Sequence, residues 1–177
     1  GEVDPKRPDL SEPRGLDIPR EFYQPLPDFL PCSSHTCSTP GFDFSAFYYR
    51  DAIHTNSFTM ENPWLDEAAQ LDPYSYAITI NAEAGRMKGL REGQPIWVEN
   101  ESGRKVKGRV RLTQGMHPEG LGIGACAGHW GEGMPVAKGK GVFFNDLLEI
   151  DWQRCSPINL NLDLCVRVKV YPVEAGQ

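Results

Sequence analysis

The chain has 177 residues, 40% of them hydrophobic, and a formal net charge of -6. That length suits one domain with an attached tail, and its core is large enough to fold without disulfides or metals. No apolar run approaches the roughly 20 residues that span a bilayer, so an integral membrane protein is excluded, and the acidic balance argues against general nucleic-acid binding.

The first residue is Gly1 rather than Met, and no secretory signal pattern follows, which predicts a piece excised from something longer. Residues 1–40 hold eight of the fifteen prolines. Proline fixes its own φ and biases its predecessor toward extended backbone, so neither helix nor central strand is expected there. Residues 1–43 read as an extended arm or linker, and 44–177 as the folded domain. Phe22, Tyr23, Leu26, Phe29 and Leu30 predict that the arm packs against something.

Ser45 to Arg50 is rich in aromatics and predicts a strand. Asn62-Pro63-Trp64-Leu65-Asp66-Glu67-Ala68 predicts a short helix, with Asn62 as cap and Pro63 at the first position. Tyr76 to Ile80 alternates as a strand does. Asn81 then caps a helix through Ala82 to Met87, which Gly89 stops. Ile96 to Glu99 is a strand and Glu101-Ser102-Gly103 a turn. From Lys105 to Leu112 basic residues alternate with small or apolar ones, the pattern of a half-buried strand. Leu121 to Ala125 and Leu164 to Tyr171 complete the strands. Short strands with few small helices predict a closed or nearly closed barrel rather than a doubly wound sheet.

Charge is unevenly spread. Between Arg86 and Arg111 lie eight Lys/Arg against three Glu, a local charge of +5 that leaves -11 to the remainder. One solvated basic strand face accounts for it. Five cysteines, Cys32, Cys37, Cys126, Cys155 and Cys165, make an odd and scattered set. Cys32 and Cys37 have no second pair at zinc spacing, so no metal site is expected on them. Between Gly115 and Gly141 there are nine glycines in 27 residues, together with His117, His129 and Trp130. That stretch is either a flexible connection or a backbone cradle for a ligand; it carries no ATP-type phosphate-loop motif.

Four segments, taken in order, carry a resemblance. They are Arg50-Asp51-Ala52-Ile53-His54-Thr55-Asn56-Ser57 with Asn62-Pro63-Trp64-Leu65; Ile80 through Gln94, with Asn81-Ala82-Glu83 at its head, followed by Ile96-Trp97-Val98; Gly128-His129-Trp130-Gly131; and Gly139 through Leu148 with Asp151 and Ser156 through Asn161. Over residues 44–172 the chain resembles the C-terminal dinucleotide-binding domain of the molybdopterin oxidoreductases, the dimethyl-sulfoxide-reductase-like family. The resemblance implies a mainly β fold, a six-stranded double-psi β-barrel with short helices. It implies a bis(molybdopterin guanine dinucleotide) cofactor with molybdenum or tungsten in the intact enzyme, and none bound to the isolated domain. It also implies a prokaryotic setting in anaerobic respiration, on the cytoplasmic or periplasmic side of a membrane complex.

Matched position by position, the resemblance implies cofactor contacts from His54, Thr55, Asn56 and Ser57, from Asn81 and Glu83, from Gly128, His129 and Trp130, from Asn145 and Asp146, and from Asn159 or Asn161. Short polar side chains suit the donor and acceptor edges of pterin and guanine, and glycine backbone suits a pyrophosphate. Each also has a plainer reading. Asn81 caps a helix, Glu83 is a first-turn carboxylate, His129 a satisfied structural histidine, Trp130 and Trp97 core, and Asn145 a cap for the turn after it. Two departures stand out: the family has proline in the middle of Asn81-Ala82-Glu83, and Ser156-Pro157-Ile158-Asn159 replaces its Ser-Gly-Asn-Pro run.

No nucleophile, base and orienting group assemble from local spacing. The chain therefore reads as a cofactor-binding module of a molybdenum or tungsten oxidoreductase catalytic subunit, inert alone. Its expected partners are the remaining domains of that subunit and an iron–sulfur electron-transfer subunit. The alternatives are a stand-alone small subunit like that of formylmethanofuran dehydrogenases, or a double-psi barrel serving as a protein-interaction module. The polar residues Thr55, Asn56, Asn81, Glu83, His129 and Asn145 are expected to converge on one open side of the barrel.

Overall fold

A computed structural model describes residues 26, 29, 31–124, 126–149, 155 and 161–174. Six strands close into a barrel in the order β1-β5-β2-β4-β3-β6. They are β1 (Phe44–Tyr49), β2 (Ala77–Asn81), β3 (Pro95–Asn100), β4 (Lys105–Thr113), β5 (Gly120–Gly124) and β6 (Cys165–Pro172). Strands β1 and β5 run parallel, as do β2 and β4, and the two parallel pairs meet along an antiparallel β2–β5 seam. This is the mainly β, six-stranded barrel expected from the sequence.

The interior follows the alternation of each strand. Ile78 and Ile80 of β2, Ile96 and Val98 of β3, Leu121 and Ile123 of β5 and Val168 of β6 are all buried. On β4 the inward positions are Val106, Gly108 and Val110. Gly108 leaves room for Val142, because a Cβ there would lie 2.5 Å from the Val142 Cγ2. Val142, Phe144, Leu147 and Leu148 plug the core from outside the strand order.

The outward positions of β4 carry four of the eight cations of the basic segment, Lys105, Lys107, Arg109 and Arg111. Lys105 and Lys107 lie 4.6 and 5.6 Å from the centroid of the Trp97 ring, and Arg111 pairs with Glu92 at 3.0 Å. The surplus charge is therefore a solvated strand face. Trp97 corrects the expectation that placed it in the core. Its neighbours Ile96 and Val98 take the inward positions, so the pleat turns Trp97 outward beneath the lysines.

The short helices form where local signals demand them. In α2 (Pro63–Leu71) the Asn62 carboxamide accepts from the Trp64 and Leu65 amides, with Pro63 leading. In α3 (Ala82–Met87) Asn81 accepts from the amides of Glu83 and Ala84, and Gly89 with φ 72° follows its end. Asn100 shapes the β3–β4 turn, accepting from Ser102 and the Arg104 amide at 2.9 Å each.

The arm contains one helical turn, α1 (Ser33–Thr36), between Pro31 and Pro40. This corrects the expectation of no helix there; the run between those prolines has none to break it. Leu26 and Phe29 are exposed, and the Phe29 ring stacks on the His35 ring with centroids 6.0 Å apart. Of the five residues expected to pack, these two are left largely exposed, while Phe22, Tyr23 and Leu30 lie outside the described residues. Among the described residues no helix is long and apolar enough to cross a membrane.

Candidate functional site

Strand register divides the predicted site residues between two rims. Tyr49 pairs with Gly124, and Ile80 with Leu121, on the same strand β5. At about 3.3 Å per residue, those rungs are about 10 Å apart. The loop after β1 and the loop after β5 leave from one rim, and Asn81 and Glu83 sit at the other. The expected convergence on one side is corrected here: β2 runs antiparallel to β5, so its C-terminal end points away from the first rim.

At the far rim, Asn81 has partners at both ends of its carboxamide. Its carbonyl oxygen accepts from the Glu83 amide at 3.0 Å and the Ala84 amide at 3.1 Å, while its Nδ2 donates to the Met116 carbonyl at 2.8 Å. Glu83 is exposed in the first turn of α3.

At the near rim, the loop after β1 is built on buried Asp51, which accepts from the Ile53 amide at 2.8 Å and from the Ser75 hydroxyl at 2.7 Å. His54 is 1% exposed and faces inward. Its Nδ1 lies 3.1 Å from Thr59 Oγ1 and its Nε2 2.9 Å from the Tyr76 hydroxyl. Tyr76 donates in turn to Asp66, which also receives Gln70 at 2.7 Å and the Lys140 ammonium at 2.6 Å. Burial opposes the charge on Asp66, but hydrogen bonds from Lys140, Tyr76 and Gln70 outweigh it and hold its carboxyl below the ordinary range. Burial first, then the bond to Asp66, pushes the Tyr76 phenol up. Thr55 and Asn56 are exposed beside this network, and Asn56 accepts from the Phe58 amide at 3.0 Å.

The same network clamps the glycine-rich loop. The Glu61 carboxylate accepts from the Val136 and Ala137 amides at 3.2 and 2.7 Å. The Gly128 amide donates to the Lys140 carbonyl at 2.9 Å. Gly128 has φ 86°, and a Cβ there would stand 2.0 Å from the Phe143 nitrogen. Only glycine fits that crossing. Of the two readings of this stretch, a held backbone cradle describes it better than a flexible connection.

A pocket of about 470 Å³ opens at this rim. Its lining includes Tyr48, Ser57, Gly124, Cys126, His129, Phe143 and Asn145, which come from four separate segments. His129 packs its ring on Phe143 with centroids 5.5 Å apart, and its Nδ1 is buried without a hydrogen-bond partner. Asn145 lies within the 3-10 turn Phe144–Leu147 and does not cap it; the position before that turn is Phe143. Asp146 is exposed beside it, and Trp130 is 49% exposed with Lys138 over its ring, so Trp130 is not core. Asn159 lies outside the described residues, and Asn161 is exposed.

Of the lining residues sequence reasoning named Ser57, His129 and Asn145 and missed the others, Tyr48, Cys126 and Phe143 among them. Cys126 had a signal: it sits between Gly124 and Gly128 and takes φ 77°, a rare conformation for a residue with a side chain. Burial pushes its thiol up, against the pull of Arg50.

No protein-family model matches the chain. Over 81 residues it is 36% identical to the thiosulfate reductase molybdopterin-containing subunit of Salmonella typhimurium, a match that covers 44% of this chain and 10% of the relative. This match bears out the resemblance to the molybdopterin oxidoreductases. Its fold is similar to that of acetylene hydratase from Pelobacter acetylenicus, with a TM-score of 0.60 at 16% identity, over 75% of this chain and 18% of that one. The chain thus spans a small part of the length of these two proteins.

The near-rim pocket fits the molybdopterin group in its chemistry. It offers an unpartnered imidazole nitrogen, a hydroxyl, a carboxamide and bare glycine backbone, against an aromatic wall. Those are the groups that read heterocycle edges and approach a pyrophosphate. Among the described residues, no group of three or more His, Cys, Asp or Glu is placed to hold a metal ion itself.

Proposed function

We propose that this chain is the cofactor-binding domain of a molybdenum or tungsten oxidoreductase catalytic subunit. Residues 44–177 form the domain and 1–43 an arm leading into it. The domain closes one side of a bis(molybdopterin guanine dinucleotide), and the near-rim pocket is where it does so. The observation that carries this is the buried, unpartnered His129 Nδ1 in a pocket shared with Ser57 and Asn145. A buried polar atom without a partner costs about 1–3 kcal/mol, so such an atom in a pocket marks a place for a ligand.

The cofactor supplies the redox chemistry when bound, and this chain's residues bind and orient it. His129, Ser57 and Asn145 meet its polar edges. Asp66, Lys140, Tyr76 and Glu61 hold the loop that presents His129. The cofactor's other wall comes from the remaining domains of the subunit, with an iron–sulfur subunit as the electron-transfer partner. Phe58, Trp64 and Leu71 are 93%, 83% and 87% exposed, and large apolar groups left bare in this way suit packing against such domains.

The test uses both forms of the protein. The purified 177-residue chain should carry no stoichiometric guanine and turn over no viologen-coupled acceptor. The intact subunit bearing His129→Ala should lose guanine and metal on dialysis while the parent keeps them. Turnover by the chain alone, or full cofactor retention by the variant, sinks the proposal.

A further inference from the structure

Away from the pocket, the arm and the last strand bring two thiols together. We propose that Cys32 and Cys165 form a redox-active pair that closes to a disulfide, tethering the arm to β6, with oxidised glutathione or a similar small disulfide as the co-reactant.

Cys32 is the residue that leads into α1, and its Sγ lies 2.8 Å from the Ser34 hydroxyl. Cys165 opens β6, against which α1 packs. Its thiol is in hydrogen-bonding contact with the Cys32 thiol and with the hydroxyls of Ser34 and Ser45. Ser34 is thus shared by the two sulfurs. None of the five cysteines is in a disulfide.

Cys37 is the competitor. It follows the other end of α1 and, with Cys165, lines a cleft of about 240 Å³. The four residues of α1 separate it from Cys32; a step of five positions is roughly 7.5 Å along a helix axis and about 140° around it. A Cys32–Cys37 bridge would have to span the whole of α1, whereas Cys32 and Cys165 are joined through Ser34, which is 2.8 Å from the Cys32 sulfur and lines one cleft with Cys165.

The chemistry balances with the named oxidant. The Cys32 thiolate attacks glutathione disulfide, forming a mixed disulfide and releasing one glutathione thiolate. The Cys165 thiol then loses its proton and attacks the Cys32 sulfur, releasing the second glutathione. Two protein thiols are oxidised and one glutathione disulfide is reduced to two thiols. Burial pushes the Cys165 thiol up, so the closing step should quicken as pH rises. The bridge would enclose nearly the whole barrel in one covalent loop, the case in which a cross-link restricts the unfolded chain most.

The experiment treats the 177-residue chain with oxidised glutathione, blocks remaining thiols with N-ethylmaleimide and maps the peptides. The expected result is a Cys32–Cys165 linked peptide, two fewer free thiols per chain and a Tm raised by about 5 °C or more. Cys37→Ser should leave all three unchanged, and Cys32→Ser, a change outside the barrel, should abolish them. A link through Cys37, Cys126 or Cys155, stable glutathione adducts without a link, or an unchanged thiol count would overturn the proposal.

Discussion

The two rims of the barrel carry similar residues in opposite states. At the far rim Asn81 spends its carbonyl on two helix amides and its amino group on the Met116 carbonyl. At the near rim His129 has a buried nitrogen with nothing to bond, and Asn145 faces the pocket outside any cap. Residue type does not separate an asparagine engaged by its own fold from one that lines a pocket; their partners do. A polar group with every partner supplied by its own chain holds the fold, and one left over in a pocket awaits something else.

The largest effect that should break this contrast is Gly128→Ala. The new Cβ would meet the Phe143 backbone in a left-handed conformation, at a cost of about 4 kcal/mol. Urea unfolding should show it as a lower midpoint at unchanged slope. Next comes Asn81→Ala, expected to cost about 2 kcal/mol through the lost cap and the orphaned Met116 carbonyl. Asn81→Ser should recover about half of that by restoring the cap alone, which the same titration reads.

The clamp behind His129 sharpens the comparison through pH. The Asp66 carboxyl is held below its ordinary range in the folded chain, so the unfolded chain binds its proton first as pH falls. Its contribution is full above about pH 4 and is lost as pH drops through the folded value. Asp66→Asn should lower stability at pH 7 by about 2 kcal/mol and flatten the acid limb of the Tm–pH curve. A limb of unchanged slope would remove Asp66 from the account. Smallest of all is His129→Ala, expected to change stability by about 1 kcal/mol or less, because its Nδ1 bonds nothing that the fold would lose.

Much of the fold is legible in the residues because its signals are local. Asn62-Pro63 and Asn81 announce helix starts through their own side chains, and β4 shows its two faces as alternating cations and small residues. Trp97 was misread because Ile96-Trp97-Val98 is apolar throughout; only the lysines of the facing strand reveal which side is wet. The helical turn in the arm was hidden by the prolines flanking it. The site was half legible. Ser57, His129 and Asn145 do share a pocket, but the separation of Asn81 from them depends on the direction of β2 against β5, a long-range pairing that no local pattern encodes. His54 looked like a ligand contact in a polar loop, yet its partners Thr59 and Tyr76 complete it, and Tyr76 is distant in sequence. Asp66 and Lys140, the ion pair behind the loop, lie too far apart in the chain to be paired by inspection.

The measurement that tests the central claim most directly compares the rims inside the intact enzyme. Asn145→Ala and Asn81→Ser are each introduced into the full catalytic subunit, and guanine and metal per chain are followed under dialysis. The account predicts that Asn145→Ala weakens retention by about 1–3 kcal/mol, a loss of roughly 5- to 150-fold in affinity, while Asn81→Ser retains the parent's content. Unchanged content in Asn145→Ala, or a greater loss in Asn81→Ser, would contradict it.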